Sequence, residues 1–263
     1  VRVRSLTLAA ASAALLAPTT LPTPPPAPQS GPMARRESDV SAADLLSKVR
    51  DCASVSRGSY RTDRNTPATI PVCGVPGAVF WKADMDIDCD GRPTGRCNRR
   101  TDPYFSAATA FQQSDGRYPS AERLPYIVVP APSGVWNHRD QGIGGGSVAA
   151  VVYRGQVLYA VVGDVGPRDM IGEASYATAE ALGIPADPHS GGTASGVTYI
   201  VFTDEPVTPI EDRAAVVTAG ERLAREFVRG ERVVRAAREV RGEEAARGGE
   251  RSVYDHRPAP RRH

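Results

Sequence analysis

Val148-Ala-Ala-Val-Val-Tyr-Arg-Gly-Gln-Val-Leu-Tyr-Ala-Val-Val-Gly-Asp164 decides how the rest of the chain is read. Two short runs rich in Val, Ala and Tyr flank Arg154-Gly155-Gln156, which reads as a tight turn, so the stretch predicts two strands of a β-hairpin. Outward from the hairpin the signature recurs. Val79-Phe80-Trp81, Leu124-Pro-Tyr-Ile-Val-Val129 and Val197-Thr-Tyr-Ile-Val-Phe202 are apolar, bounded by turn residues and of strand length. Helical signals are fewer. Ser41-Ala-Ala-Asp44 resembles a capping box opening a short helix through Arg50, and a second helix is expected over 175–182, closed by Gly183. The prediction is a mainly β (α+β) domain, a small β-barrel with a few short helices.

The ends of the chain differ in character from this middle. Residues 1–17 join a basic start to an Ala/Leu run, the pattern of a secretory signal peptide and too short for a spanning helix. Residues 18–40 form a Pro-rich linker, and the compact domain is expected over 41–207. Residues 208–263 are rich in Arg, Glu and Ala. They predict a charged tail, helical and solvated in part, with its last residues disordered.

The whole chain carries a formal charge of +2 with 24% charged residues. Its arginines concentrate in the tail, so nothing argues for a nucleic acid partner or a membrane span. The expectation is a secreted monomer. The cysteines agree with export, because an even set of four suggests two disulfides with three connectivities. Short loops favour Cys52–Cys73 and Cys89–Cys97. A zinc site is the competitor, but no pair has the C-x2-C spacing.

Two acid-bearing segments stand out. In Trp81-Lys-Ala-Asp84-Met-Asp86-Ile-Asp88-Cys-Asp90-Gly91, a strand continuing from Val79 would point Asp84, Asp86 and Asp88 the same way. Like charges stacked so closely need something positive opposite. A calcium loop fits the opening Asp86-x-Asp88-x-Asp90-Gly91. However, its twelfth position is Cys97 rather than a bidentate Glu. A cationic substrate is the other candidate, and a solvated turn the plainest. In the second segment Asp164 closes an apolar strand. Glu173 follows nine residues later, just before the expected helix. A strand-end and a helix-start carboxylate joined by a Gly/Pro loop can face each other across a cleft, as glycosidic cleavage requires of its acid and its base. Glu173 also suits a helix N-terminus, and Asp164 a turn. The four histidines show no H-E-x-x-H spacing.

Long ordered runs carry a resemblance. They are Phe80-Trp-Lys-Ala-Asp-Met-Asp-Ile-Asp-Cys-Asp-Gly91, Asp102-Pro-Tyr-Phe105, Leu124-Pro-Tyr-Ile-Val-Val-Pro130, Gly163-Asp-Val-Gly-Pro167, Ile171-Gly-Glu-Ala-Ser-Tyr176 and Ser195-Gly-Val-Thr-Tyr-Ile200. Over Leu45 to Asp204 the chain resembles glycoside hydrolase family 75, the fungal-type chitosanases. The resemblance implies endo-hydrolysis of β-1,4-glucosaminyl links in chitosan, with inversion and without a metal or other cofactor. It also implies barrel closure of the double-psi type. The family's essential carboxylates fall on Asp164 and Glu173, with Glu173 expected as general acid and Asp164 as base. Asp84, Asp86 and Asp88, with Trp81, Lys82 and Tyr176 beside them, become expected substrate contacts. Chitosan carries ammonium groups below a pH of about 6.5, which an acid-lined cleft would gather. Rival readings are a non-catalytic polysaccharide-binding barrel, a peptidoglycan-cleaving lytic enzyme and a calcium-stabilised structural domain.

Overall fold

The structure, a computed structural model, describes residues 40–203 and 206–230. The expected signal peptide, most of the linker and the end of the tail lie outside these residues. Chain order runs through helix α1 (Ala42–Lys48), strands β1 (Ala53–Ser54), β2 (Cys73–Val75), β3 (Ala78–Asp88), β4 (Tyr126–Pro130), β5 (Val148–Tyr153), β6 (Gln156–Gly166) and β7 (Glu173–Ser175). Helix α2 (Tyr176–Ala181), strand β8 (Thr193–Phe202) and helix α3 (Arg213–Arg229) complete it. Among the described residues no helix is long and apolar enough to cross a membrane.

Six strands close on themselves in the order β3-β7-β4-β6-β5-β8, with β8 pairing back onto β3. This is the small barrel that the apolar runs predict. Two of its pairs, β3 with β7 and β4 with β6, are parallel in an otherwise antiparallel ring. Such pairs need crossover connections, which an up-and-down meander lacks. The predicted hairpin is β5 and β6, whose register ends at Tyr153 opposite Gln156 across the turn Arg154-Gly155.

Alternation sorts the core into two clusters. Val79, Trp81, Ala83, Met85, Ile127, Val129, Ala149, Val151, Ala160, Val162, Ala174, Val197, Tyr199 and Val201 come from all six strands and fill the barrel. Their neighbours in sequence, such as Phe80, Val128, Ala150, Val161 and Ile200, point outward and pack with Leu45 of α1 and with Val216, Leu223 and Phe227 of α3. A period of two along each strand produces this division.

The helix ends follow local rules. Ser41 and Asp44 form the expected reciprocal capping box. Ser175 caps α2 through the Thr178 N–H. Helix α3 departs from the expected solvated tail. Val216, Gly220, Leu223, Ala224 and Phe227 form a buried stripe against the barrel, and Phe227 meets Phe202 edge-on at 5.8 Å. The arginines and glutamates of α3 occupy the other positions, as amphipathic spacing requires. Both favoured disulfides, Cys52–Cys73 and Cys89–Cys97, are present.

Candidate active site

One outward region of the barrel lacks a helix cover. There the ends of β3, β4, β6 and β7 open into a trough of about 740 Å³, lined by Asp63, Asp86, Asp88, Asp90, Asp102, Asp164, Glu173 and Asp187, with Arg64, Tyr104 and His189 among its other walls.

Register explains how Asp164 and Glu173 come to share it. Glu173 precedes the helix as expected, but it does so as the first residue of the short strand β7. Strand β7 lies between β3 and β4, with Glu173 beside Asp86 and Ala174 opposite Ile127. Antiparallel pairing therefore sets Glu173 level with Val128. On the other side of β4 the register with β6 slips, from Ile127 opposite Val162 to Val128 opposite Asp164. Gly163 is the extra residue of this bulge. Were Gly163 to pair regularly in its place, Asp164 would follow the parity of Ala160 and Val162 into the barrel interior. With the bulge, Asp164 turns to the outward face shared by Val128 and Glu173. A Cβ at Gly163 would drive into the ring of Tyr126, so the bulge packs closely as well. The two carboxylates thus occupy one rung, one strand to either side of Val128.

A strap of chain, residues 106–111, completes the site from outside the barrel using backbone donors. The Ala110 N–H donates to Asp164 Oδ1 at 2.6 Å, joined by the Val165 N–H at 2.7 Å. The Ser106 N–H donates to Asp90 Oδ1 at 2.7 Å. The Asp90 N–H in turn donates to Asp88 Oδ1 at 2.6 Å. No side chain of the strap takes part in these bonds, so residue type carries no signal for them.

Crowding by acids and by protein pushes the carboxyls apart in proton affinity. Burial, then the charges of Asp86, Asp90 and Asp164, raise Glu173 to about 8. Asp164 is raised by burial as well, but its two backbone N–H bonds oppose the rise by favouring the ionised form. Asp88 lies deepest and is pushed well above the carboxylate range by burial and by Glu173 and Asp164. Burial raises Asp86 and Asp90 to about 6. Oxygens of Asp88, Asp90 and Asp164 lie within 4.8 Å of one another, close enough to share a cation. Oδ1 of each of the three already accepts a backbone N–H.

Other expected contacts fall elsewhere. Asp86 and Asp88 line the trough, whereas Asp84 is buried beneath Gly172. A Cβ at Gly172, whose φ is +111°, would collide with Asp84 Oδ1. Trp81 is fully buried in the barrel, stacked on Tyr199 at 5.3 Å, and offers no face to a sugar. Its odd position sets it opposite the even-numbered acids, a parity already present in the sequence. Lys82 is exposed above Phe80, away from the trough lining. Tyr176 is also outside the lining. Its hydroxyl accepts from Arg96 at 2.6 Å, tying the Cys89–Cys97 loop to α2. Asp63, Asp102 and Tyr104 line the trough without having been expected there.

Two carboxyls in unlike surroundings on one rung of an open trough are the arrangement that acid–base hydrolysis of a glycosidic bond requires. Residues 85–229 match the family of fungal chitosanases of glycosyl hydrolase group 75. The match starts later than the resemblance in the motifs and runs past it, to the end of α3. The chain belongs to glycoside hydrolase family 75. It is 31% identical over 176 residues to an endo-chitosanase of Aspergillus fumigatus, covering 60% of this chain and 73% of that one. It is 35% identical over 140 residues to endo-chitosanase C of Aspergillus oryzae, covering 51% of this chain but only 34% of that one. Endo-chitosanase B of the same species is 32% identical over 157 residues, covering 52% of this chain and 64% of its own length.

Proposed function

We propose that this chain is a secreted, monomeric endo-chitosanase that hydrolyses β-1,4-glucosaminyl links with inversion, with Glu173 as general acid and Asp164 as general base. The observation that carries the proposal is the shared rung. Strands β6 and β7 flank β4, so their backbones lie about 10 Å apart, two strand spacings. Carboxyls mounted at that spacing on one face leave room for a sugar and a water, the roughly 6.5–9.5 Å arrangement of inverting enzymes.

The chemistry follows from the two environments. Glu173 holds its proton at neutral pH and gives it to the glycosidic oxygen as the C1–O bond breaks. Asp164, whose ionised form the Ala110 and Val165 N–H groups favour against the opposing effect of burial, takes a proton from water as the water oxygen bonds to C1 from the opposite face. Exchange with solvent returns Asp164 to its carboxylate and Glu173 to its acid. The surrounding carboxylates favour a polymer bearing ammonium groups over a neutral one. Two disulfides suit an oxidising compartment outside the cell.

Release of reducing ends from chitosan tests the reading. Glu173→Gln and Asp164→Asn should each lower the rate by about 10²–10⁴-fold while leaving chitosan bound. Proton NMR of the first products should show the α-anomer. A β-anomer, or full activity in both variants, would rule out the mechanism.

A further inference from the structure

Tyr104 is 80% exposed, the one large apolar side chain so exposed among the described residues, and it stands on the trough wall. Its backbone is held firmly. The Tyr104 N–H donates to Asp102 Oδ1 at 2.8 Å, and both Asp102 and the next residue, Phe105, are buried. The loop before it is tied by the Cys89–Cys97 disulfide and by the hydrogen bonds of Asn98 with Thr94 and Thr101. A rigid mount with a free ring face costs little entropy when a ligand settles on it. Arg64, from the loop at 61–66, holds its guanidinium carbon 5.6 Å from the centre of that ring. The Arg61 side chain donates to the Arg64 carbonyl at 2.9 Å, which fixes the loop that carries it. The trough therefore contains a cation over an aromatic face, at a wall otherwise dominated by acids.

Resting on the chitosanase reading above, we infer that Tyr104 is the stacking platform for one glucosamine ring and that Arg64 is a place-holder, a guanidinium displaced when a glucosammonium unit takes its position over the ring. A pyranose presents axial C–H bonds to an aromatic face, and its equatorial 2-ammonium, at the rim of the stacked sugar, brings a positive charge to the wall where the Arg64 side chain brings one in this structure. Recognition at this wall is an exchange of one cation for another. The bare contribution of stacking is therefore partly hidden by the resident arginine.

The full chain carrying Glu173→Gln, which should bind without turning over, is titrated calorimetrically with chitosan hexamer at pH 6. Adding Tyr104→Ala should weaken binding about tenfold, and Tyr104→Phe should restore it to within about twofold, because the ring and not the hydroxyl is used. Adding Arg64→Ala should tighten binding about two- to fivefold by freeing the ring and removing a like charge. The KM of Tyr104→Ala in the turnover-competent chain should rise by the same factor as its dissociation constant. Unchanged binding in Tyr104→Ala, or equal weakening in Tyr104→Phe, would overturn the platform. Weaker or unchanged binding in Arg64→Ala would overturn the place-holder. In both cases reducing-end release by the native chain would leave the chitosanase reading standing, whereas no hydrolysis and no hexamer binding would remove both.

Discussion

The two halves of β3 are built on one pleat and yet do opposite work. From Ala78 to Ala83 the strand is apolar inward at Val79, Trp81 and Ala83, and its outward Phe80 is buried in the cluster that α1 and α3 complete. From Asp84 to Asp88 the inward Met85 continues the barrel core, but the outward positions are all aspartate. What changes between the halves is what lies over the outer face: helices on one, an open trough on the other. A strand's outer face takes its chemistry from its cover, and here the uncovered end is where acids have collected.

That contrast can be broken outright by placing an acid in the covered half. Phe80→Asp removes a side chain that is 2% exposed and buries a charge with no partner, so the expected cost exceeds about 4 kcal/mol and little folded protein should be recovered. Circular dichroism of the purified variant checks it. A smaller effect is expected at the bulge. Gly163→Ala must displace the Tyr126 ring, costing roughly 1–3 kcal/mol, and should lower the rate of chitosan cleavage about ten- to a hundredfold because it moves Asp164. Thermal melting and reducing-end assays on the same preparation separate the two losses.

The smallest effect sharpens the comparison from the acidic side. Burial, with Asp86 and Asp63 nearby, raises Asp84 to about 7. A carboxyl whose folded-state pKa is raised binds its proton more tightly in the folded chain, so ionising it costs stability. The penalty is absent below about pH 3, grows as pH rises through the unfolded value and is complete above about 7. Asp84→Asn should therefore add roughly 1–3 kcal/mol at about pH 8, and the gain should vanish at about pH 3. Urea unfolding at the two pH values is the measurement. An equal gain at both would assign the effect to packing instead of charge.

How far the sequence reaches can be judged from particular residues. The hairpin around Arg154-Gly155, the strand at Tyr126–Pro130 and the capping box of Ser41 with Asp44 are legible because each depends on a few neighbours. Asp164 and Glu173 are legible as candidates through their motifs, but their shared rung is not. It depends on a three-residue strand too short to show a period and on a slip of register against a partner far away in sequence. The strap escapes for a different reason, since Ala110 and Ser106 contribute only N–H groups that every residue but proline possesses. Trp81 and Tyr176 were expected at the sugar because aromatics suit both a core and a carbohydrate face. Tertiary packing alone separates the two uses. Helical spacing in the tail was legible, but the packing of α3 was not, because a stripe as sparse as Val216, Leu223 and Phe227 among arginines and glutamates reads as a solvated face.

The slip at Gly163 also bears on how sequence gaps in this part of the barrel are to be weighed. A regular register through Gly163, with no bulge, would leave every recognisable motif intact and every functional group present, yet rotate Asp164 into a dry interior where no polymer can follow. In this strand, register decides which face the acid meets. A homologue lacking only the bulge residue would keep its acid outward, because the aspartate would then follow Val162 directly.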